Sequence, residues 1–298
     1  RDGKFYLQNK ATKTIEVWNE TGRIQEIPSG AGTNITFDDA GNILVRIGTF
    51  PDPFNKDINE LRIIPADGSA AIDIALSGIT GGRLDFWGHV QGNVLDKETG
   101  GIIYMGTTYY PQLVEIPIID GKQDVANTYT YTYASPFGIA GNFATTTIIS
   151  AWEGKENVSI LSPLFNKTNC NSIQKLSLDE DGNWSHDSYY ITPRHSGCAG
   201  FYIFKLGGQD YIVYPSGSNN ADGFTVSKLA TKAISDVEDS DESVRIATKY
   251  SEQKDDGNPM YIGNAFYGNH LSAEAISETQ AHIYQYFPSG YIAKYLFT

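Results

Sequence analysis

The side chains best suited to chemistry fall in three stretches, residues 80–89, 192–198 and 258–270. They are Arg83, Asp85, Trp87 and His89, then Arg194 and His195, then Tyr261, Asn264, Tyr267 and His270. Guanidinium groups clamp carboxylates or hydroxyls through charge-assisted hydrogen bonds. Indole and phenol rings stack on sugar rings or planar ligands while offering one polar handle. Three of the five histidines lie here, so imidazole ligation of a metal is conceivable chemistry. His89 and His270 occupy similar places ahead of their strands, but His195 is offset, and no metal or other cofactor is assigned. Asp85, Glu153 and Asp222 would be the carboxylates of a glycosidase-type pair, which needs about 5–10 Å between groups. No catalytic residue is assigned. The chain contains no Gly-x-Ser-x-Gly elbow, no His-Glu-x-x-His, no phosphate loop and no Cys-x-x-Cys.

Charge narrows the partners. With 22 basic and 35 acidic residues the net charge is −13. Such a surface repels nucleic-acid phosphates and anionic membranes alike. No apolar run is long enough to span a bilayer. A small molecule or glycan is the expected partner, with a surface protein as the other option. Because the sequence starts at Arg1, an export signal or lipid anchor is expected to precede it.

The elements that must position these groups read as strands. Helical periodicity is nearly absent; the best helical candidate, residues 228–237, is short and uncapped. The 30 Gly, 19 Tyr and 14 Phe suit strands and tight turns. Strand-like runs begin at Lys4, Thr14, Arg23, Asn34, Ile43, Leu61, Ile72, Gly101, Gln112, Tyr211 and Tyr291. Between them lie Asn19-Glu-Thr-Gly, Asp38-Asp-Ala-Gly-Asn, Ala66-Asp-Gly, Asp96-Lys-Glu-Thr-Gly, Asp120-Gly and Asp179-Glu-Asp-Gly-Asn. In each, Asp or Asn opens the turn through its side chain and Gly supplies a positive φ.

Units of about four strands start near Thr33, Val90, Gly141, Ala199 and Leu271. Three strands precede Thr33 and three follow Leu271. The expected fold is therefore all-β, one β-propeller domain over residues 1–298, with six blades and a ring closed by the N- and C-terminal strands. Five or seven blades, or two β-sandwiches, are the alternatives. The segment Phe37-Asp-Asp-Ala-Gly-Asn-Ile-Leu-Val resembles the strand, D-x-x-G-N, strand signature of NHL-like six-bladed propellers. The chain as a whole resembles uncharacterised propeller lipoproteins exported by gut Bacteroidetes. That resemblance implies a fold and an extracellular or cell-surface location. It carries no catalytic residue.

In a meander, the first-to-second and third-to-fourth connections share one end of the sheet. Short hairpins fall at that end. Long connections fall at the other: 49–57, 107–111, 153–171 and 215–223, with the three inter-blade stretches above and a fourth, 135–140. Long loops on a rigid scaffold are where binding concentrates. Cys170 and Cys198 both fall at the long-connection end and are expected to form a disulfide in an oxidising compartment. The run Ser177-Leu-Asp-Glu-Asp-Gly-Asn-Trp resembles a sialidase Asp box with one extra residue, and its acidic spacing is that of a solvated hairpin rather than a calcium loop. The expected function is ligand or glycan binding without catalysis. A carbohydrate-active hydrolase or lyase, and an adhesion scaffold, are the alternatives.

Overall fold

The computed structural model describes residues 3–9, 11–30, 32–47, 60–79, 84–107, 110–132, 150–151, 159–164, 172–191, 202–215, 224–228, 243–246, 271–287 and 291–298. Two compact units, residues 1–132 and 133–298, divide the chain.

The first unit holds three antiparallel sheets. Sheet I is β1 (Phe5–Asn9), β2 (Thr14–Asn19) and β3 (Gly22–Pro28). Sheet II is β4 (Gly32–Phe37), β5 (Ile43–Ile47), β6 (Glu60–Ile64) and β7 (Ile72–Ala75). Sheet III is β8 (Leu84–Gly92), β9 (Gly101–Thr107), β10 (Tyr110–Ile119) and β11 (Lys122–Gln123), with β12 (Tyr129–Thr132) also pairing β10. A single 3-10 turn, Val125–Asn127, is capped by the Asp124 side chain, which accepts from Asn127 N.

In the second unit, sheet IV is β13 (Ser150–Ala151), β14 (Ser159–Leu164), β15 (Ser172–Leu178) and β16 (Trp184–Ile191). Sheet V is β17 (Tyr202–Leu206), β18 (Gln209–Pro215), β19 (Phe224–Lys228) and β20 (Ser243–Ile246). Sheet VI is β21 (Leu271–Ala275), β22 (Ala281–Phe287) and β23 (Tyr291–Phe297).

The sheets are meanders of sequential strands, except that β12 in sheet III returns to pair β10. Sheets I to III, and sheets V and VI, meet through their first strands: β1 adjoins β4, β4 adjoins β8, and β17 adjoins β21. That is how neighbouring propeller blades meet, innermost strand beside innermost strand. The fold is all-β and of the β-propeller class. The expected unit starts at Thr33, Val90, Ala199 and Leu271 correspond to β4, β8, β17 and β21; Gly141 lies outside the described residues.

Burial explains the composition of the strands. β5 is Ile-Leu-Val-Arg-Ile, buried along its first four residues. Ile43 and Val45 pack with Ile15 toward sheet I. Leu44 packs with Val90, Ile103, Val114 and Ile116 of sheet III. A strand covered on both faces reads as a continuous apolar run rather than an alternation. In the second unit Phe204, Val213, Phe224 and Val226 pack on Leu271, Ala273 and Ile283, with Phe224 and Tyr295 edge to face at 5.0 Å.

Three expectations need correction. Residues 80–89 were expected as a loop, yet the chain is strand from Leu84. A two-residue register slip between Leu84 and Gly88 breaks the period-2 pattern that would have revealed it. Residues 153–171 were expected as one long loop, yet Ser159–Leu164 pairs as β14 with β15. Lys228, the first residue of the best helical candidate, ends strand β19, and the rest of that stretch lies outside the described residues.

Candidate functional site

At one end of the sheets sit short hairpins, and the first Asp of three of them is hydrogen-bonded within its own turn. Asp67 accepts from Ser69 N at 2.9 Å. Asp96 accepts from Glu98 N at 2.9 Å and Thr99 N at 2.7 Å. The bond from Thr99 N, then that from Glu98 N, draws the Asp96 carboxyl down to about 2. Asp179 accepts from Asp181 N and from Asn183 N at 3.0 and 2.7 Å, and the Asn183 bond chiefly lowers its pKa. The expected solvated hairpin at Asp179 is what forms: Asp179, Glu180 and Asp181 are exposed, and Trp184 beneath them is buried. Among the described residues, no group of three His, Cys, Asp or Glu could hold a metal ion.

One hairpin goes further. In the 38–42 turn Asp38 N donates to Asn42 O at 3.1 Å, and Asn42 N donates to Asp38 Oδ1 at 2.8 Å. Asn42 Nδ2 donates to Asp38 Oδ2 at 2.7 Å. The same groups then reach other strands. Val94 N donates to Asp38 Oδ2 at 3.1 Å, and Asn42 Nδ2 donates to Asn93 Oδ1, also at 3.1 Å. Ala66 N donates to Asn42 Oδ1 at 2.9 Å. Beside them Asp39 N donates to Gly92 O, and Gly92 N donates to Asp39 Oδ2. Asp38 and Asn42 are 2% and 5% exposed, so each bond is made away from water and none is easily replaced. The D-x-x-G-N signature is thus a latch between sheets II and III. Sequence reading identified the turn and missed the latch, because the partners lie 51 and 56 positions away.

Toward the opposite end runs β8, the first strand of sheet III, which carries Asp85, Trp87 and His89. His89 is the candidate whose side chain is described. It stands opposite Tyr104, the rings stacked at 6.2 Å and 12°. Burial holds the imidazole below its ordinary value of 6.5, and the Asp39 charge opposes this. His89 is therefore neutral at pH 7 and offers one donor and one acceptor nitrogen. Burial also pushes the Tyr104 phenol up, the Glu115 charge adding to it, and its hydroxyl donates to Gln91 Oε1 at 3.3 Å. The cross-strand row His89, Tyr104, Glu115, Tyr129 spans four strands on one face of sheet III. The backbone places Asp85 and Trp87 nearer the start of β8, away from the latch. Arg83, Arg194, His195, Tyr261, Asn264, Tyr267 and His270 lie outside the described residues, as do Cys170 and Cys198.

No helix among the described residues is long and apolar enough to cross a membrane. No protein-family model matches the chain, and no curated protein matches it. Several solved structures are similar in shape. One is described as a putative 6-phosphogluconolactonase from Bacteroides fragilis: 12% identity, TM-score 0.47, 82% of this chain and 68% of that one. Another is the β-propeller domain of the Trilobed protease from Pyrococcus furiosus: 9% identity, TM-score 0.41, 99% of this chain and 78% of that one. A third is a protein from Lactobacillus plantarum: 11% identity and TM-score 0.45, the match spanning 76% of this chain and 64% of that protein's length. At these scores the likenesses add nothing to what the strand order establishes, and no activity passes from them to this chain.

Proposed function

We propose that this is an exported binding protein, without catalysis, that takes a small molecule or glycan at the sheet ends opposite the Asp–Gly hairpins. The observation that carries the reading is the asymmetry between ends. The first Asp of the 96–100 and 179–183 turns is engaged by its own turn's backbone, and the 38–42 turn is committed to holding two sheets together. The opposite end carries the long connections and, at the start of β8, Asp85 and Trp87. A scaffold locked at one end holds groups at the other with little ordering entropy to lose on binding.

In this reading Trp87 is the stacking anchor, and Arg83 and Arg194 clamp a carboxylate or hydroxyl, which suits an acidic protein binding an anionic group. His89, Tyr261, Asn264, Tyr267 and His270 complete the mouth. Six blades, closed into a ring by the terminal strands, are part of this proposal, and the three-stranded sheets I and VI are compatible with it. A Cys170–Cys198 bridge would fit an exported protein and would contribute roughly 3 kcal/mol. A glycan and metabolite array, run with and without EDTA, tests the proposal. Binding without turnover and without EDTA sensitivity is the expected result. Turnover of a bound glycan would replace it with an enzyme, and silence across the array with an adhesion scaffold.

A further inference from the structure

A different place on the molecule, the edge of sheet II, stands exposed. β7 is the outer edge of sheet II, so one side of its backbone has no ladder partner within the sheet. Beside it runs a groove lined by Ile72, Asp73, Ile74 and Ala75 on one side and Asp120, Gly121, Lys122, Gln123 and Val125 on the other. Ile72 and Val125, both lining the groove, are 37% and 48% exposed.

The protein itself completes this edge at one point, and with an amide. Ser77 N donates to Gln123 Oε1 at 2.8 Å, and Gln123 Nε2 donates to Ser77 O at 2.8 Å. One amide thereby satisfies both backbone groups of a single residue, as a neighbouring strand does in an antiparallel ladder. The Gln123 amide occupies the place of a next strand at Ser77, and among the described residues no strand pairs with the outer side of residues 72–75. Ile-Asp-Ile-Ala holds no Pro or Lys, and its one charge, Asp73, is bound to Arg62.

We propose that β7 accepts an extended peptide as a fifth strand of sheet II, one that alternates apolar and basic residues. Its backbone pairs with residues 72–75 and stops at Gln123. An apolar side chain covers Ile72 and Val125. Its basic side chains meet Asp73 and Asp120, which are 55% and 48% exposed, Asp120 standing 3.9 Å from the Lys122 ammonium on the same lip. Asp73 is also held by Arg62 at 2.7 Å, so it stays in place on the lip. A second copy of this chain is the poorer occupant, because both copies would carry a net charge of −13.

The test is a fluorescence-anisotropy titration with a labelled, end-capped pentapeptide, Lys-Val-Lys-Val-Lys. Two controls accompany it: the same peptide N-methylated at alternate amides, and Glu-Val-Glu-Val-Glu. Val125→Lys, at an exposed position, is titrated in parallel and melted to show that it folds as the parent does. The basic peptide should bind saturably. N-methylation should weaken it by about tenfold or more, as two lost hydrogen bonds would. Val125→Lys should weaken it comparably, and the acidic peptide should not bind. No binding at millimolar peptide, equal binding of the N-methylated peptide, or indifference to Val125→Lys would each overturn the proposal. So would self-association abolished by Val125→Lys, which would make a second copy the occupant.

Discussion

Two turns in this chain have the same spacing and different roles. The 38–42 and 179–183 turns are both D-x-x-G-N, and three bonds to backbone N–H groups recur in both. In each the first Asp N donates to the Asn O, at 3.1 and 3.0 Å, and the Gly N donates back to the Asp O, at 3.1 Å in both. In each the Asn N is bound by the Asp Oδ1, at 2.8 and 2.7 Å. The first joins the first and second strands of sheet II and is buried against sheet III. The second joins the third and fourth strands of sheet IV and is exposed. A turn motif therefore fixes local geometry only, and position in the meander decides whether it also holds sheets together.

The largest expected effect is at the latch. Asp38→Ala strips the acceptor from Asn42 N, Asn42 Nδ2 and Val94 N in a buried place. It should cost about 2–4 kcal/mol in chemical denaturation, since unsatisfied buried donors are expensive. Asp179→Ala should cost less than about 1 kcal/mol, because water replaces the lost acceptor. Equal losses at the two sites would break the comparison.

Glycine substitutions sharpen it. Gly100, in the turn facing the latch, has φ +62, and an added Cβ would collide with Ile118 O and the Ile119 side chain, the latter at 2.7 Å. Gly182 has φ +81 and open space around it. Gly182→Ala should show the conformational strain alone, about 1–2 kcal/mol. Gly100→Ala should lose more, with the excess due to backbone displacement. Thermal melts of the two variants give the difference.

The next effect is set by pH. The folded-state pKa of His89 lies below 6.5, so the unfolded chain binds its proton first on acidification. The stability His89 contributes is complete above the unfolded value and declines as pH falls through about 6.5 toward the folded value. Denaturation midpoints from pH 8 to pH 5 should therefore fall less steeply for His89→Gln than for the parent. Parallel slopes would show that the imidazole is not desolvated.

Much of this was legible in the sequence, and the omissions have physical causes. Strands β1 to β7 follow from alternating or continuous apolar runs bounded by Asp–Gly turns, because those turns demand residues few other structures need. β14, Ser-Ile-Leu-Ser-Pro-Leu, was hidden by Pro163 and by two serines that break the alternation of its apolar residues. The start of β8 was hidden by its register slip. The role of Asp38 was hidden because Asp38-Asp-Ala-Gly-Asn and Asp179-Glu-Asp-Gly-Asn read alike, and only the partner sheet separates them. His89 was found as a candidate because histidine is rare here, but its stacking on Tyr104 comes from the β8–β9 register.

The smallest structural perturbation is binding itself, and it tests the central claim most directly. Hydrogen exchange, measured with and without a ligand drawn from the array, reports where amides are protected. The account predicts slowed exchange in residues 80–89, 192–198 and 258–270, with the 38–42, 93–100 and 179–183 turns unchanged. Protection confined to those turns, with the long connections unaffected, would contradict it.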